Sequence, residues 1–414
     1  MTDRPHAADV AAHPAALPFA AILCGCAVAM LTFGPRSAIG FFQLPMLAEI
    51  HGATRADFSF AIAIQNLLWG AGQPLFGAIA DKHGTARVLV ISGLLYALGL
   101  ALPALFPSTT MLTIGAGILV GLAVAAGSFG IVLAAFARRV PATQRSFVFG
   151  LGTAAGSFGM FVFSPLSVEL IARFGWENAL LVLSGLMLIV PLLAWPLRGG
   201  RHGAPTTNEI EQTMGAALRE ALGSRSYLLL TSGFFVCGFQ VAFITAHFPA
   251  YIADLGIAPG WAATALALIG FFNVIGSLAS GVIGHRWSKP YFLSLIYLGR
   301  SIAVTIFLLT PATPLTVVVF SIVMGLLWLS TVPPTNGLVA IMFGTRHLGL
   351  LGGIVFFSHQ IGSFLGVWLG GYLYGRNGSY DVVWWLGVAL GLFAALVHLP
   401  IREAPAARLQ PASA

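Results

Sequence analysis

Residues 77–87 read Gly77-Ala78-Ile79-Ala80-Asp81-Lys82-His83-Gly84-Thr85-Ala86-Arg87. An apolar run ends in a glycine, then an acid, a base, a second glycine and a further base. The pattern is a tight polar turn between two helices. Gly77 lets two helices approach closely. Asp81 can cap the following helix or pair with a neighbouring arginine, which would latch the ends of the helices together. A degraded second copy, Gly281-Val282-Ile283-Gly284-His285-Arg286, lies about half a chain further on.

Apolar sequence surrounds both copies. Of 414 residues, 58% are hydrophobic and only 8% charged, where an ordinary soluble domain has about a quarter charged. Mean hydropathy is +0.91. So few charges cannot cover a soluble globule of this size, which excludes a soluble enzyme, a disordered chain and a nucleic-acid binder. Charge clusters and Pro/Gly punctuation divide the chain into twelve apolar segments, near 18–46, 56–80, 87–106, 109–137, 145–174, 178–197, 227–253, 261–284, 290–309, 313–342, 348–375 and 380–400. Each is long enough to cross a bilayer as a helix, and none shows strand alternation. The expected fold is an all-α membrane protein of twelve transmembrane helices in two pseudo-symmetric six-helix bundles. The expected boundaries are a tail at 1–17, a first bundle at 18–197, a linker at 198–226 with a short surface helix near 207–222, a second bundle at 227–400 and a tail at 401–414.

The net charge of +7 reflects membrane orientation. With the N-terminus inside, the inner loops carry fifteen basic residues, among them Lys82, Arg87, Arg138, Arg139, Arg286 and Lys289. The outer loops carry Arg55, Arg173 and Arg376 only. That asymmetry puts both termini in the cytoplasm. Further matched pairs support a parallel repeat, which is a transporter architecture. Gly156-Ser157-Phe158 matches Gly362-Ser363-Phe364, and Phe174-Gly175-Trp176 matches Asn377-Gly378-Ser379.

Two arginines fall inside membrane segments. Arg36 follows Gly34-Pro35, a break where freed backbone groups can line a cavity. A buried arginine is costly unless it meets water or a partner, so Arg36 is the leading candidate for binding substrate. Arg300 reads as a structural pairing. No Asp or Glu lies at mid-membrane, Glu169 being nearest. Fixed positive charge without a deep acid favours an anion. His247, His359 and Gln360 are further candidates, as are Asn66 and Asn273, which occupy matching helices of the two halves. The gating candidates are Gly77, Asp81, Lys82, Gly84, Arg87 and Arg286. Cys24, Cys26 and Cys237 have no metal-ligand or disulfide spacing, and no cofactor, catalytic or metal motif is present.

The 77–87 turn resembles the signature of the major facilitator superfamily. Gly150-x-Gly152-x3-Gly156-x2-Gly159, Pro165-Leu166, and Leu170-Ile171-x-x-Phe174-Gly175-Trp176 resemble helix five of the monocarboxylate transporter and oxalate:formate antiporter branch. Asn377-Gly378-Ser379-Tyr380 is similar to that branch too. The resemblance implies a monomeric carrier of small organic anions in the cell membrane, with a proton as coupling ion or by exchange. It also implies an Asp and, four residues on, a substrate-binding Arg in the eighth helix. Here Asn273 and Ser277 stand at those positions, so the usual cation is missing and Arg36 is expected to replace it. A dicarboxylate exchanger, a channel and a non-transporting sensor remain as alternatives.

Overall fold

The computed structural model describes residues 19–137, 140, 145–198, 212–344, 346–406 and 409. The expected N-terminal tail, the 138–139 arginine pair, residues 199–211 of the expected linker and the chain end at 410–414 lie outside the described residues.

The first half begins with α1 (Phe19–Ser37), a 3₁₀ turn (Ile39–Phe42) and α2 (Gln43–Glu49). Then come α3 (Arg55–His83) and α4 (Thr85–Leu105). The next crossing is built from α5 (Thr109–Leu112), a π-helical stretch (Thr113–Leu119), α6 (Val120–Ala126) and α7 (Phe129–Ala137). The long α8 (Arg145–Met187) turns at Gly175, whose φ of 77° favours glycine, and so holds two crossings. A short α9 (Val190–Leu193) and a 3₁₀ turn (Trp195–Leu197) close the half.

The linker contains α10 (Met214–Gly223). The second half holds α11 (Arg225–Asp254), α12 (Pro259–Arg286), α13 (Lys289–Leu309), α14 (Pro314–Leu327), α15 (Val332–Phe343), α16 (Leu348–Asn377) and α17 (Asp381–His398). Helix α16 ends at Gly378 with φ 70°, the counterpart of the Gly175 turn. Ten stretches among the described residues are long and apolar enough to span a membrane. One of them, Gly150–Leu193, bends at Gly175 and crosses twice. Helix α3 is not among the ten, because Gln65, Asn66 and Gln73 dilute its apolar character. Adding it restores the twelve crossings read from the sequence.

Helices α14 and α15 are one crossing broken at 328–331, just before Pro333-Pro334. The fully buried Arg300 holds this break. Its Nη2 donates to the Leu327 carbonyl at 2.7 Å and also to the Trp328 carbonyl, while Nε reaches Leu327 at 3.1 Å. A cation on the free carbonyls of a helix C-terminus is favourable, so Arg300 is used up by structure.

Two antiparallel seams join the halves. In one, α3 lies on α16. A Cβ at Gly371 would come 2.0 Å from Ser59 Oγ, and one at Gly70 would come 2.7 Å from Gln360 Cβ. In the other, α8 lies on α12, where a Cβ at Gly270 would come 2.9 Å from the Ser157 carbonyl. The α3–α16 seam is open at its glycines toward the end that carries Asp81, whereas on the other seam a Cβ at Gly150 of α8 would still lie 3.9 Å from Leu278 of α12. A Cβ at Gly77, Gly281, Gly349 or Gly353 meets nothing within 4 Å among the described residues. Among the described residues none makes the close approach expected at Gly77.

Candidate functional site

Helix α1 stops one residue after Arg36. Pro35 brings no N–H, Ser37 Oγ turns back to the Gly34 carbonyl at 2.6 Å, and the backbone tightens into the 3₁₀ turn. The break aims Arg36 across the seam region toward α3. Its Nη2 donates to Asn66 Oδ1, and its guanidinium lies 4.5 Å from the centre of the Trp69 ring. Asn66 is itself oriented by donating from Nδ2 to the Ile62 carbonyl at 2.8 Å. No carboxylate among the described residues pairs with Arg36. A cation–π contact and one amide oxygen are partial compensation for taking a guanidinium out of water.

Unpaired polar groups gather around it. Arg36 Nε, Trp69 Nε1 and both amide atoms of Gln360 are buried without a partner. Gln360 comes from α16 and packs on Gly70, one residue from Trp69. The Trp69 ring meets Phe33 of α1 at 5.5 Å and Phe356 of α16 at 5.1 Å. A cavity of about 10 Å³ touches Arg36, Asn66, Gln65, Ile62, Ala242 and Thr245, room for about one water. The walls come from both halves. Buried groups left unpaired are costly. Three of these atoms are donors, so the set suits an anion with its own hydrogen-bonding edges.

Arg36 and Asn66 are thus in direct contact, and Gln360 packs on Gly70 one turn further along α3. His359 is set beside them. Its ring lies 5.8 Å from Phe356 and 5.0 Å from Phe234, with Nδ1 3.5 Å from Ser363 Oγ. Asn273 is elsewhere. Its Nδ2 donates to Ser157 Oγ at 2.9 Å, and its Oδ1 accepts from the Leu329 amide at 3.0 Å and Ser277 Oγ at 3.1 Å. Both ends of that amide are engaged by the α8–α12 seam and the α14–α15 break, and Asn273 does not line the Arg36 cavity.

His247 is also elsewhere, within a polar latch at the Arg55 end. Arg55 donates from Nη1 and Nη2 to the two oxygens of Asp254, each at 2.7 Å. Nη1 also donates to Tyr380 Oη at 2.9 Å, and Tyr374 stacks 3.8 Å from the guanidinium. His247 Nε2 faces the Val367 carbonyl at 2.9 Å and Nδ1 faces Tyr380 Oη at 3.3 Å. Gly370 makes room for the ring, since a Cβ there would come 2.4 Å from Nε2. Arg55 belongs to the first half and its partners to the second. The sequence reading missed this group, having treated Arg55 only as a loop charge. No local signal marks it, because Arg55 and Asp254 are 199 residues apart.

At the opposite end, Lys82 and His83 form the last turn of α3, and Gly84 with φ 93° turns the chain into α4. Asp81 and Lys82 are exposed there, Arg87 is exposed on the first turn of α4, and Arg286 is exposed at the end of α12. Glu169 pairs with Arg173 one turn along on an exposed face of α8 and takes no part in the central cluster.

The chain as a whole is similar to known proteins. Monocarboxylate transporter 13 of Bos taurus is 27% identical over 400 residues, covering 92% of this chain and 89% of that protein. The probable sulfoacetate transporter SauU of Cupriavidus necator is 23% identical over 381 residues, covering 86% of this chain and 87% of its own. Among solved structures, a bacterial homologue of the human lysosomal transporter Spinster superposes with a TM-score of 0.74 at 13% identity, covering 93% of this chain and 98% of that one. That likeness shows the fold. The sequence profile described as Major Facilitator Superfamily matches residues 25–366, and a match across most of a multi-pass, all-helical chain settles the assignment: the protein belongs to the Major Facilitator Superfamily of membrane transporters.

Proposed function

We propose that the chain is a secondary carrier of small organic anions, monocarboxylates first among them, and that it works by alternating access. The observation that carries this reading is Arg36: a guanidinium between the two halves, with no carboxylate among the described residues to neutralise it and unpaired donors at its side. A carboxylate matches the planar fork of a guanidinium with two parallel bonds. Gln360 Nε2 and Trp69 Nε1 supply further donors, and Gln360 Oε1 is left to accept from a hydroxyl. The names of the relatives, one a monocarboxylate transporter and one a probable sulfoacetate transporter, agree with an anionic cargo.

In this reading the first bundle at 18–197 and the second at 227–400 rock about the Arg36 cluster. The basic loops place both termini and the 198–226 linker in the cytoplasm of a cell whose inner membrane holds the protein as a monomer. The conformation described is then closed to the outside by the Arg55 latch and parted at the cytoplasmic end. The 77–87 turn is the gating candidate at that end. A proton is the candidate coupling ion, with His247 or His359 as its carrier, since no deep carboxylate is available.

Purified protein in liposomes tests the reading. Uptake of labelled lactate, pyruvate, oxalate and related acids should saturate, and internal unlabelled monocarboxylate should drive counterflow. Flux that never saturates would make the protein a channel. Binding without flux would make it a sensor.

A further inference from the structure

A second cavity lies apart from the substrate cluster. It measures about 660 Å³ and sits at the Asp81 end, between the start of α4 and the 190–198 corner. His83, Arg87 and Arg198 line it, and no acidic residue does among the described residues. Its remaining walls are apolar: Val90, Ile91, Pro191, Ala194 and Trp195.

We propose that this cavity binds the headgroup of an anionic phospholipid. Two arginines from separate elements converge on it, which suits a phosphate ester. Its position along α4 then selects a lipid over a soluble phosphate. Arg87, Ile91, Leu94 and Leu98 follow one another at spacings of four, three and four residues, so they form one stripe of the helix. Arg87 begins the stripe at the cavity. Ile91, Leu94 and Leu98 are all exposed to the membrane side, carrying an aliphatic track about 10 Å beyond Ile91. A soluble anion has no use for such a track, whereas an acyl chain attached to the bound phosphate would lie along it.

The facing corner has the same build. Leu192 is 73% exposed and Trp195 63% exposed, and the Arg198 guanidinium lies over the Trp195 ring. Exposed tryptophan beside a cation marks the headgroup level of a bilayer. Helix α4 has Gly84 at its N-cap, with no side chain to cap it, and its first turn contains no acid. Its amide dipole therefore adds to the positive potential of the arginines. With the orientation proposed above, the cavity faces the cytoplasmic leaflet, where anionic lipids attract basic groups. The inference does not depend on which anion the carrier moves.

Native mass spectrometry of the purified full chain tests the proposal, with melting in detergent as a second readout. The probes are dioctanoyl phosphatidylglycerol, dioctanoyl phosphatidylcholine and inorganic phosphate. Phosphatidylglycerol should be retained about tenfold better than phosphatidylcholine and should raise the melting temperature, while inorganic phosphate should do neither. The double variant Arg87→Gln/Arg198→Gln should lose the preference, and Arg402→Gln, an exposed arginine elsewhere, should keep it. Arg198→Gln alone, at an exposed position beyond the last turn, should lower the preference even if the double variant folds poorly. Equal retention of the two lipids would overturn the proposal, as would an unchanged preference in Arg198→Gln. Stabilisation by inorganic phosphate equal to that by the lipid would assign the cavity to a soluble anion and overturn the lipid.

Discussion

Arg55 and Asp254 share a two-pronged ion pair, both N···O distances being 2.7 Å, that ties the start of α3 in one half to the end of α11 in the other. The side chains are 13% and 32% exposed, so water weakens the pair without removing it. The aromatic groups of Tyr374 and Tyr380 cover the guanidinium. A contact that joins the halves at one end contributes to the state closed there and to no other.

Loss of this pair should therefore shift populations more than it harms folding. Asp254→Asn keeps the size of the side chain and removes the charge. A cysteine introduced as Gln43→Cys, at a position now fully buried beside Tyr380, should report the opening. Its labelling by an impermeant maleimide from outside should rise about tenfold, equivalent to about 1.4 kcal/mol between the two states. Unchanged labelling would remove the latch from the account.

The glycines of the α3–α16 seam should split into two classes. At Gly371 a methyl group would meet Ser59 Oγ at 2.0 Å and the Arg55 carbonyl at 2.4 Å, so Gly371→Ala should block closure at the Arg55 end. Gly77 has open space now, so Gly77→Ala should leave this state intact and obstruct the opposite one. Both variants should transport slowly while their external cysteine labelling moves in opposite directions. Parallel shifts would contradict the seam argument.

His247 should make the latch sensitive to acid. Against the Val367 carbonyl its Nε2 must be the protonated nitrogen, which leaves Nδ1 to accept from Tyr380 in the neutral ring. Protonation turns Nδ1 into a donor and adds a positive charge to a network that already contains Arg55, with Asp254 the only acid in the group. The neutral ring thus supports the closed latch, and the cation opposes it. Lowering pH from about 8 to about 4, across the range where histidine can charge, should increase external labelling in the wild type. In His247→Gln the increase should be absent, and an identical pH profile would count against the assignment.

The crossings are legible in the sequence because hydrocarbon thickness demands long apolar runs. The turn at 77–87 is legible because Gly84 and its charges cannot continue a membrane helix. Arg36 is legible too, since an arginine after Gly34-Pro35 has few cheap explanations. What separates Asn66 from Asn273 is not legible. Both are lone amides in matching helices, and only the fold supplies Ser157 and the Leu329 amide as partners for Asn273. The latch is hidden for the same reason: its charges are ordinary loop residues until the halves meet. Trp69 is not legible either, because nothing in its neighbourhood along the chain announces that Arg36 will lie over its ring.

Binding of a transported monocarboxylate to purified Arg36→Gln protein, with folding checked by thermal melting, tests the central claim most directly. A charge-assisted bond contributes about 1.5–3 kcal/mol, so affinity should fall about ten- to a hundredfold. Arg36→Lys should also bind weakly, because an ammonium keeps the charge without the fork. Unchanged affinity in a folded Arg36→Gln protein would contradict the account and return Arg36 to a structural role.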